Sequence, residues 1–142
     1  MRGIKPVLLA EDDKIDQEAV KRSFKQLRIN NPLVIVSNGE EALGYLRDGK
    51  KEKPCVILLD VKMPRMGGIE FLKVIKADEN FKRIPVVAFT TSDEEKDRLG
   101  SFNLGIAGYM LKSADYAKFV GVVRTIDLYW SLSELPPLMN EV

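Results

Sequence analysis

The sequence predicts an α/β fold in which five parallel strands alternate with five helices in a doubly wound sheet. Four of five short apolar runs lack the polar alternation of half-buried strands, which indicates burial on both faces. Stretches with apolar residues at helical spacing follow the runs. The runs are Val7–Ala10, Val34–Val36, Val56–Leu59, Val86–Phe89 and Ala107–Leu111. Right-handed crossovers then place helices on both faces and favour the strand order 2-1-3-4-5.

The first three helices are predicted from periodicity and capping signals. Ile15–Leu27 carries an apolar face at a period of 3.6 residues. Asn38 and Glu41 form a capping-box pattern before the second helix. The third helix follows the pair Gly67–Gly68, where apolar residues again recur at helical spacing.

The last two helices complete one predicted domain over residues 1–132. Ser92–Glu95 repeats the capping-box pattern, and we expect that helix to run through Phe102. An extended apolar stripe from Phe119 to Trp130 predicts a long final helix, and the fifth run, which contains Gly108, suits an edge strand. Prolines end the helical pattern, so residues 133–142 are predicted to be a short tail.

Composition excludes several classes of chemistry. The 142 residues include 22 Lys and Arg and 21 Asp and Glu, so the net charge of +1 predicts no general attraction to nucleic acid. The chain has no histidine, which excludes His-based catalytic triads and histidine metal sites. Its lone Cys55 cannot form an intrachain disulfide. No apolar stretch approaches about 20 residues, so we expect a cytoplasmic protein without membrane contact.

Polar residues follow four of the apolar runs directly. Glu11 and Asp12 follow the first, Asp60 the third, Thr90 the fourth and Lys112 the fifth. Because the carboxyl ends of parallel strands share one edge of the sheet, these side chains are expected to meet in one cleft. Asp13 adjoins the pair of acids, but capping of the first helix is its expected role.

Clustered carboxylates with oxygen-only ligands favour a hard cation, Mg²⁺ before zinc. A carboxylate beside Mg²⁺ can attack phosphorus and form an acyl phosphate. Asp60 is the best candidate nucleophile, since it stands alone after the central run. Lys112 would neutralise phosphoryl oxygens, and Thr90 could donate a hydrogen bond to one of them.

Together these motifs resemble the receiver domain of bacterial two-component response regulators, which has a flavodoxin-like fold. The resemblance extends from about Lys5 to Trp130. The matching segments are Leu8–Asp13, Leu58–Gly68, Ile84–Val86 with Phe89–Thr91, and Gly108–Lys112.

The resemblance implies roles for the acidic residues. Asp60 would be the phosphoacceptor, supplied by a histidine on a partner sensor kinase. Glu11 and Asp12 match the acids that hold Mg²⁺ with Asp60, and the backbone carbonyl of Lys62 matches a further metal ligand. Such a protein catalyses its own phosphorylation and dephosphorylation, and it is not an enzyme with a separate substrate.

Two more roles follow from the resemblance. Thr90 and Tyr109 match the pair that changes position on phosphorylation and alters a protein-interaction surface. Lys112 matches the lysine that contacts the phosphoryl group. Most receivers have proline next, often after a cis bond, whereas this chain has Ser113, which leaves open whether the Lys112–Ser113 bond is cis. This departure and the extended last helix resemble single-domain regulators paired with phytochrome-type kinases.

The end of the last helix offers a candidate interface. Leu128, Tyr129 and Trp130 are large apolar side chains near the end of a small domain. They predict a homodimer or kinase contact through this helix, with packing inside the domain as the alternative.

Other functions compete with the phosphorylated switch. A phosphorylation-independent receiver-like adaptor would bind without Asp60 chemistry. An aspartate-nucleophile phosphatase needs a second acid where this chain has Lys62. A flavodoxin-like cofactor binder needs a phosphate loop where this chain has Glu11–Asp13, whose charges repel phosphate.

Overall fold

The computed structural model describes residues 4–91, 93–100, 102–113 and 115–130, without the side chain of Trp130. The elements in chain order are β1 (Val7–Ala10), α1 (Lys14–Gln26), β2 (Leu33–Val36), α2 (Gly39–Arg47), β3 (Val56–Asp60), α3 (Gly68–Lys76), β4 (Val86–Thr90), α4 (Asp93–Gly100), β5 (Gly108–Leu111) and α5 (Tyr116–Trp130). All strands pair in parallel in the order β2-β1-β3-β4-β5, which confirms the predicted fold. The predicted continuation of the last helix to residue 132 and the tail at 133–142 lie outside the described residues.

The central strands are buried and the edge strands are only partly covered. Every residue of β1, β3 and β4 is buried, whereas β2 is half-buried throughout. The expectation that the second run is buried on both faces is therefore wrong, because β2 lies at the edge of the sheet. The strand β5 forms the other edge, as its mixed composition predicted.

The sheet separates two hydrophobic cores. Leu8, Ile57 and Ala88 face one core, which includes Phe71 of α3 and Leu99 of α4. The alternate strand residues face the second core, which is closed by α1 and α5. That second core includes Leu9, Leu58, Val87, Phe24, Phe119 and Ile126. Alternation along each strand thus sends neighbouring residues to opposite faces.

Carboxyl and amide side chains cap the first two helices. The Asp13 carboxylate accepts hydrogen bonds from the amides of Ile15 (2.8 Å) and Asp16 (3.1 Å), at the start of α1. Asn38 accepts from the amide of Glu41 at 2.9 Å. The Glu41 carboxylate does not complete the predicted capping box with the Asn38 amide. It accepts a hydrogen bond from the amide of Ser37, in the preceding loop, at 2.8 Å.

The fourth helix is shorter than predicted. It ends at Gly100, so Phe102 lies beyond it and is partly exposed. Asn103 and Gly105 have φ values of 50° and 66°, and this left-handed backbone ends the helical path. Ser92, the predicted cap of this helix, lies outside the described residues.

The loop between β3 and α3 is packed closely between two glycines. The Gly39 amide donates to the carbonyl of Met66 at 2.9 Å, and the Gly68 amide donates to that of Val61 at 3.0 Å. A Cβ atom on Gly68 would lie 2.9 Å from Cα of Val61 and 3.0 Å from the carbonyl oxygen of Asp60. Because neither glycine carries a side chain, the first residues of α2 and α3 can both pack against the loop that follows Asp60.

The amino edge of the sheet lies opposite that loop. There the Lys5 carbonyl accepts from the Asn31 side-chain amide at 2.8 Å, and the Cys55 amide donates to the carbonyl of Pro6 at 2.9 Å. The helix α5 starts after β5 at the carboxyl edge, and its 15 residues carry the chain about 22 Å back. Among the described helices, none has the length and apolar character required to span a membrane.

Candidate functional site

The carboxyl edge of the sheet gathers the predicted polar residues. Asp60 and Thr90 are the last residues of β3 and β4, and Glu11 and Lys112 directly follow β1 and β5. The Lys112 amide donates to the Thr90 carbonyl at 2.8 Å, which extends the pairing of β4 and β5 by one residue. Four strands separated along the sequence thus supply one cleft.

Three carboxylates of this cleft form a candidate metal centre. One oxygen each from Glu11, Asp12 and Asp60 lies within 4.8 Å of the others. Glu11 and Asp60 are buried, whereas Asp12 is exposed and leaves the group open to solvent on one side. An all-oxygen group with an open side suits Mg²⁺, which keeps several of its waters. These residues could therefore hold a divalent cation.

The ammonium group of Lys112 contacts the carboxylates of this cluster. Its Nζ lies 2.7 Å from Glu11 Oε1, 3.0 Å from Asp16 Oδ2 and 3.4 Å from Asp60 Oδ1. Asp16 was not predicted, because it lies within a helix and does not directly follow a strand. The sequence could have indicated Asp16 through its position in the first turn of α1, the helix that Asp13 caps at the edge of the cleft.

Burial and charge shift the pKa values of these groups. Burial, reinforced by the charge of Asp60, raises the pKa of Glu11 to about 7 against the opposing effect of Lys112. Burial also raises the pKa of Asp60. Burial alone would lower the pKa of Lys112, but the ion pair with Glu11 and the further contacts with Asp16 and Asp60 raise it above its usual range. For both carboxyl groups, the effect of burial on the pKa therefore outweighs the opposing effect of the Lys112 ammonium.

Lys62 lies on the loop after β3. Its amide donates to Asp60 Oδ1 at 3.4 Å, so its backbone stays close to the central carboxylate. Its ammonium lies 3.3 Å from Oε2 of Glu95, a buried carboxylate of α4 that also accepts hydrogen bonds from Thr91. The contacts of Glu95 were not predicted, since the sequence indicated only a helix cap at this position.

Thr90 and Tyr109 lie on the same side of the sheet. Tyr109 pairs with Ala88 across β4 and β5, and Thr90 is two residues further along β4. Thr90 is buried, whereas Tyr109 is half-buried and packs against the core that includes Leu99 of α4. The two predicted switch residues therefore share the face covered by α4.

The bond between Lys112 and Ser113 is trans, as are the other peptide bonds of the described ranges. The sequence left this point open. Serine in place of proline accords with a trans bond, because the cis form costs about 2.5–4 kcal/mol before a residue other than proline.

A comparison with known protein families identifies this arrangement. Residues 7–124 match the response regulator receiver domain. The chain belongs to the response regulator receiver family. Response regulator Rcp1 of Synechocystis is 36% identical over 130 residues, which cover 89% of this receiver chain and 88% of Rcp1.

Solved receiver structures share the fold at full length. The phosphorylated cyanobacterial phytochrome response regulator RcpA is 34% identical, with a TM-score of 0.83, and the match covers 94% of this chain and 99% of RcpA. The Mn²⁺-bound form of Rcp1 is 34% identical, with a TM-score of 0.80 and coverages of 93% and 99%. The bacteriophytochrome response regulator RtBRR is 35% identical, with a TM-score of 0.78 and coverages of 95% and 86%. A divalent metal is therefore part of receiver chemistry, and this receiver has an acidic group able to hold one.

Lys112 and a metal ion would compete for the same carboxylates. We expect Lys112→Met to raise the affinity for Mg²⁺ by about tenfold, or about 1.4 kcal/mol, because the ammonium no longer occupies Glu11 and Asp60. Isothermal titration calorimetry at pH 7 measures this affinity. Lys118→Met, which removes an exposed lysine of α5, is the control for net charge. Equal affinities for the two variants would contradict the competition.

Proposed function

We propose that this receiver accepts a phosphoryl group on Asp60, with Glu11, Asp12 and the backbone carbonyl of Lys62 as further Mg²⁺ ligands. The observation that carries the proposal is the buried carboxylate at the end of the central strand, 3.4 Å from the Lys112 ammonium and beside two more acids. A bound Mg²⁺ would supply positive charge to neutralise phosphoryl oxygens and orient them for transfer.

The protein residues provide the nucleophile and part of the charge stabilisation. An Asp60 oxygen attacks the phosphorus of a partner's phosphohistidine, so an O–P bond forms while the P–N bond breaks. The imidazole leaves with the bonding electron pair and takes up a proton. Lys112 neutralises one phosphoryl oxygen, and the Thr90 hydroxyl donates a hydrogen bond to another. Both interactions favour transfer of the phosphoryl group to Asp60, so the chain is itself the acceptor and needs no separate substrate.

Phosphorylation would alter the face covered by α4. Thr90 lies on the side of the sheet shared with Tyr109, so a turn of its hydroxyl toward the new group would leave space on that side. Movement of the Tyr109 ring into this space would change the surface formed by α4, β5 and α5. We propose this surface as the output of the switch.

Intact mass spectrometry tests the phosphoacceptor proposal. Incubation with acetyl phosphate and Mg²⁺ is expected to add the mass of one phosphoryl group, and omission of Mg²⁺ is expected to prevent the addition. Borohydride reduction and peptide mapping then locate the modified residue at Asp60. Modification elsewhere, or no adduct combined with no binding of beryllofluoride, would contradict the proposal and favour the phosphorylation-independent adaptor.

The start of α1 offers a docking surface for the kinase. Ile15 is 81% exposed, although it is apolar, and it follows the Asp13 cap beside the acidic cleft. A cleft of about 620 Å³ between α1 and α5 adjoins it, lined by residues that include Ala19, Tyr116 and Phe119. Because the donor histidine must reach Asp60, the partner is expected to cover this neighbouring apolar surface.

We expect Ile15→Ala to slow transfer from a phosphorylated histidine kinase by about tenfold, the effect of losing a central contact residue. Labelling by acetyl phosphate should not change, because the small donor needs no docking surface. Leu128→Ala removes a similarly exposed apolar side chain at the far end of α5 and is the control. If only Leu128→Ala slowed the kinase reaction, the kinase would dock on the last helix instead.

We infer that the donor is a phytochrome-type sensor kinase. RcpA is a cyanobacterial phytochrome response regulator and RtBRR is a bacteriophytochrome response regulator, and this receiver matches both over nearly its full length. The cytoplasmic location predicted from the sequence is part of the same proposal, since the donor and the receiver must meet in one compartment.

The last helix is the proposed homodimer interface. Leu128 and Tyr129 are each 75% exposed near its end, and Trp130 follows them. A two-fold contact would bury the same apolar patch on both copies. We expect the wild type to elute as a dimer in size-exclusion chromatography with light scattering, and Leu128→Lys as a monomer. Ile15→Ala should remain dimeric, and a monomeric wild type would exclude this interface.

A further inference from the structure

A buried carboxylate joins the two loops that flank the proposed phosphoacceptor. The Glu95 side chain is 7% exposed and lies in the first turn of α4. Its Oε2 accepts a hydrogen bond from Thr91 Oγ1 at 2.8 Å, and its Oε1 accepts from the Thr91 amide at 3.3 Å. The same Oε2 lies 3.3 Å from Lys62 Nζ. Glu95 therefore connects the loop after Asp60 with the loop after Thr90.

The lysine of this pair is free to exchange partners. The Lys62 side chain is 76% exposed, so its ammonium can turn without disturbing the core. Its amide contacts Asp60 Oδ1 at 3.4 Å, which places the base of the side chain beside the proposed phosphoacceptor. A phosphoryl group there adds about 1.5 to 2 negative charges, more than Glu95 carries. The new group would compete with Glu95 for this ammonium.

We propose that Glu95 is a positioning residue that holds the Lys62 ammonium away from Asp60 until a phosphoryl group draws it back. The inference rests on the proposed function, since it takes Asp60 as the phosphoacceptor. Transfer of the ammonium removes the ion pair between the β3–α3 loop and α4. Glu95 keeps its hydrogen bonds from Thr91, so α4 loses its ion pair with the β3–α3 loop and remains joined to the end of β4.

This exchange requires Glu95 to oppose the phosphorylated state. Breaking the Lys62–Glu95 pair costs part of the affinity for a phosphoryl group, and a variant without the pair should not incur that cost. Glu95→Gln retains an acceptor for Thr91 and removes the charge. We expect it to bind the phosphoryl mimic beryllofluoride about two- to fivefold more tightly, the range of an ion pair with one exposed partner.

A double-mutant cycle tests the exchange. Beryllofluoride is titrated at saturating Mg²⁺ and followed by fluorine NMR for the wild type, Glu95→Gln, Lys62→Met and the double variant. We expect Glu95→Gln to strengthen binding, Lys62→Met to weaken it, and Glu95→Gln to add nothing when Lys62 is absent. Glu94→Gln, which removes an exposed charge from the same turn, should bind like the wild type.

Lys62→Arg, alone and combined with Glu95→Gln, extends the cycle. Lys62→Arg keeps a cation on the loop, so Glu95→Gln should again strengthen binding in that background. The exchange is wrong if Glu95→Gln matches Glu94→Gln, or if its effect persists in Lys62→Met. If the wild type binds no beryllofluoride, the proposed phosphoacceptor fails together with the exchange. Binding by the wild type without a Glu95 effect would overturn the exchange alone.

Discussion

Replacing Asp60 by asparagine is expected to abolish phosphoryl incorporation while leaving the protein folded. The neutral amide lacks the anionic oxygen that attacks phosphorus, and removing a charge beside Glu11 and Asp12 also weakens the candidate metal centre. Stability should not fall, because the buried Asp60 carboxylate lies close to the like charge of Glu11. Intact mass after treatment with acetyl phosphate measures the first effect, and thermal unfolding without Mg²⁺ measures the second.

Asp13→Asn is the matched control for this loss. It makes the same chemical change at the same edge of the sheet, and asparagine is as good a helix cap as aspartate. We expect this variant to be labelled at the wild-type rate. Residual labelling of Asp60→Asn would point to a second acceptor, whereas equal loss in both variants would indicate a general effect of charge.

Gly68→Ala is expected to destabilise the fold by about 1–3 kcal/mol and to weaken Mg²⁺ binding at the same time. The added Cβ would lie 2.9 Å from Cα of Val61 and 3.0 Å from the Asp60 carbonyl, and neither backbone atom can turn away. The start of α3 and the loop that carries Lys62 must therefore separate. Urea unfolding measures the stability, and calorimetry measures Mg²⁺ binding.

Gly44→Ala distinguishes this steric effect from a general effect of losing glycine. A Cβ on Gly44 meets no atom within 4 Å, and the residue lies inside α2. Alanine there should stabilise the protein by about 0.5–1 kcal/mol and leave Mg²⁺ binding unchanged. Wild-type stability and Mg²⁺ binding in Gly68→Ala would show that the loop tolerates the shift.

The strand order and the residues of the cleft could be predicted because both depend on local patterns. Uninterrupted apolar runs indicate buried strands of a parallel sheet. Because the carboxyl ends of such strands share one edge, Asp60 and Lys112 could be placed together from the sequence alone. The partial exposure of β2 was missed although the predicted order places this strand at an edge, because its apolar composition matches that of the buried central strands.

Contacts between distant side chains could not be predicted in the same way. The ion pair of Lys112 with Asp16 joins residues 96 positions apart, and it depends on how α1 packs against the end of β5. Likewise, the link from Lys62 to Glu95 depends on the packing of α4, and nothing in the spacing of these residues indicates it. The early end of α4 at Gly100 precedes left-handed backbone at Asn103 and Gly105, and a periodic pattern of apolar residues reveals neither feature.

The course of α5 has a practical consequence for attaching other molecules. The chain enters β1 at the amino edge, where Lys5 contacts Asn31, and α5 returns from the carboxyl edge toward that same side. The described chain therefore begins at the amino edge and its last helix runs toward that edge, so a fluorescent protein, an affinity tag or a surface linker at either terminus is expected to lie away from the cleft. Such a fusion leaves the open side of the cleft at Asp12 and the exposed Ile15 uncovered, so immobilised protein should still be accessible to a kinase.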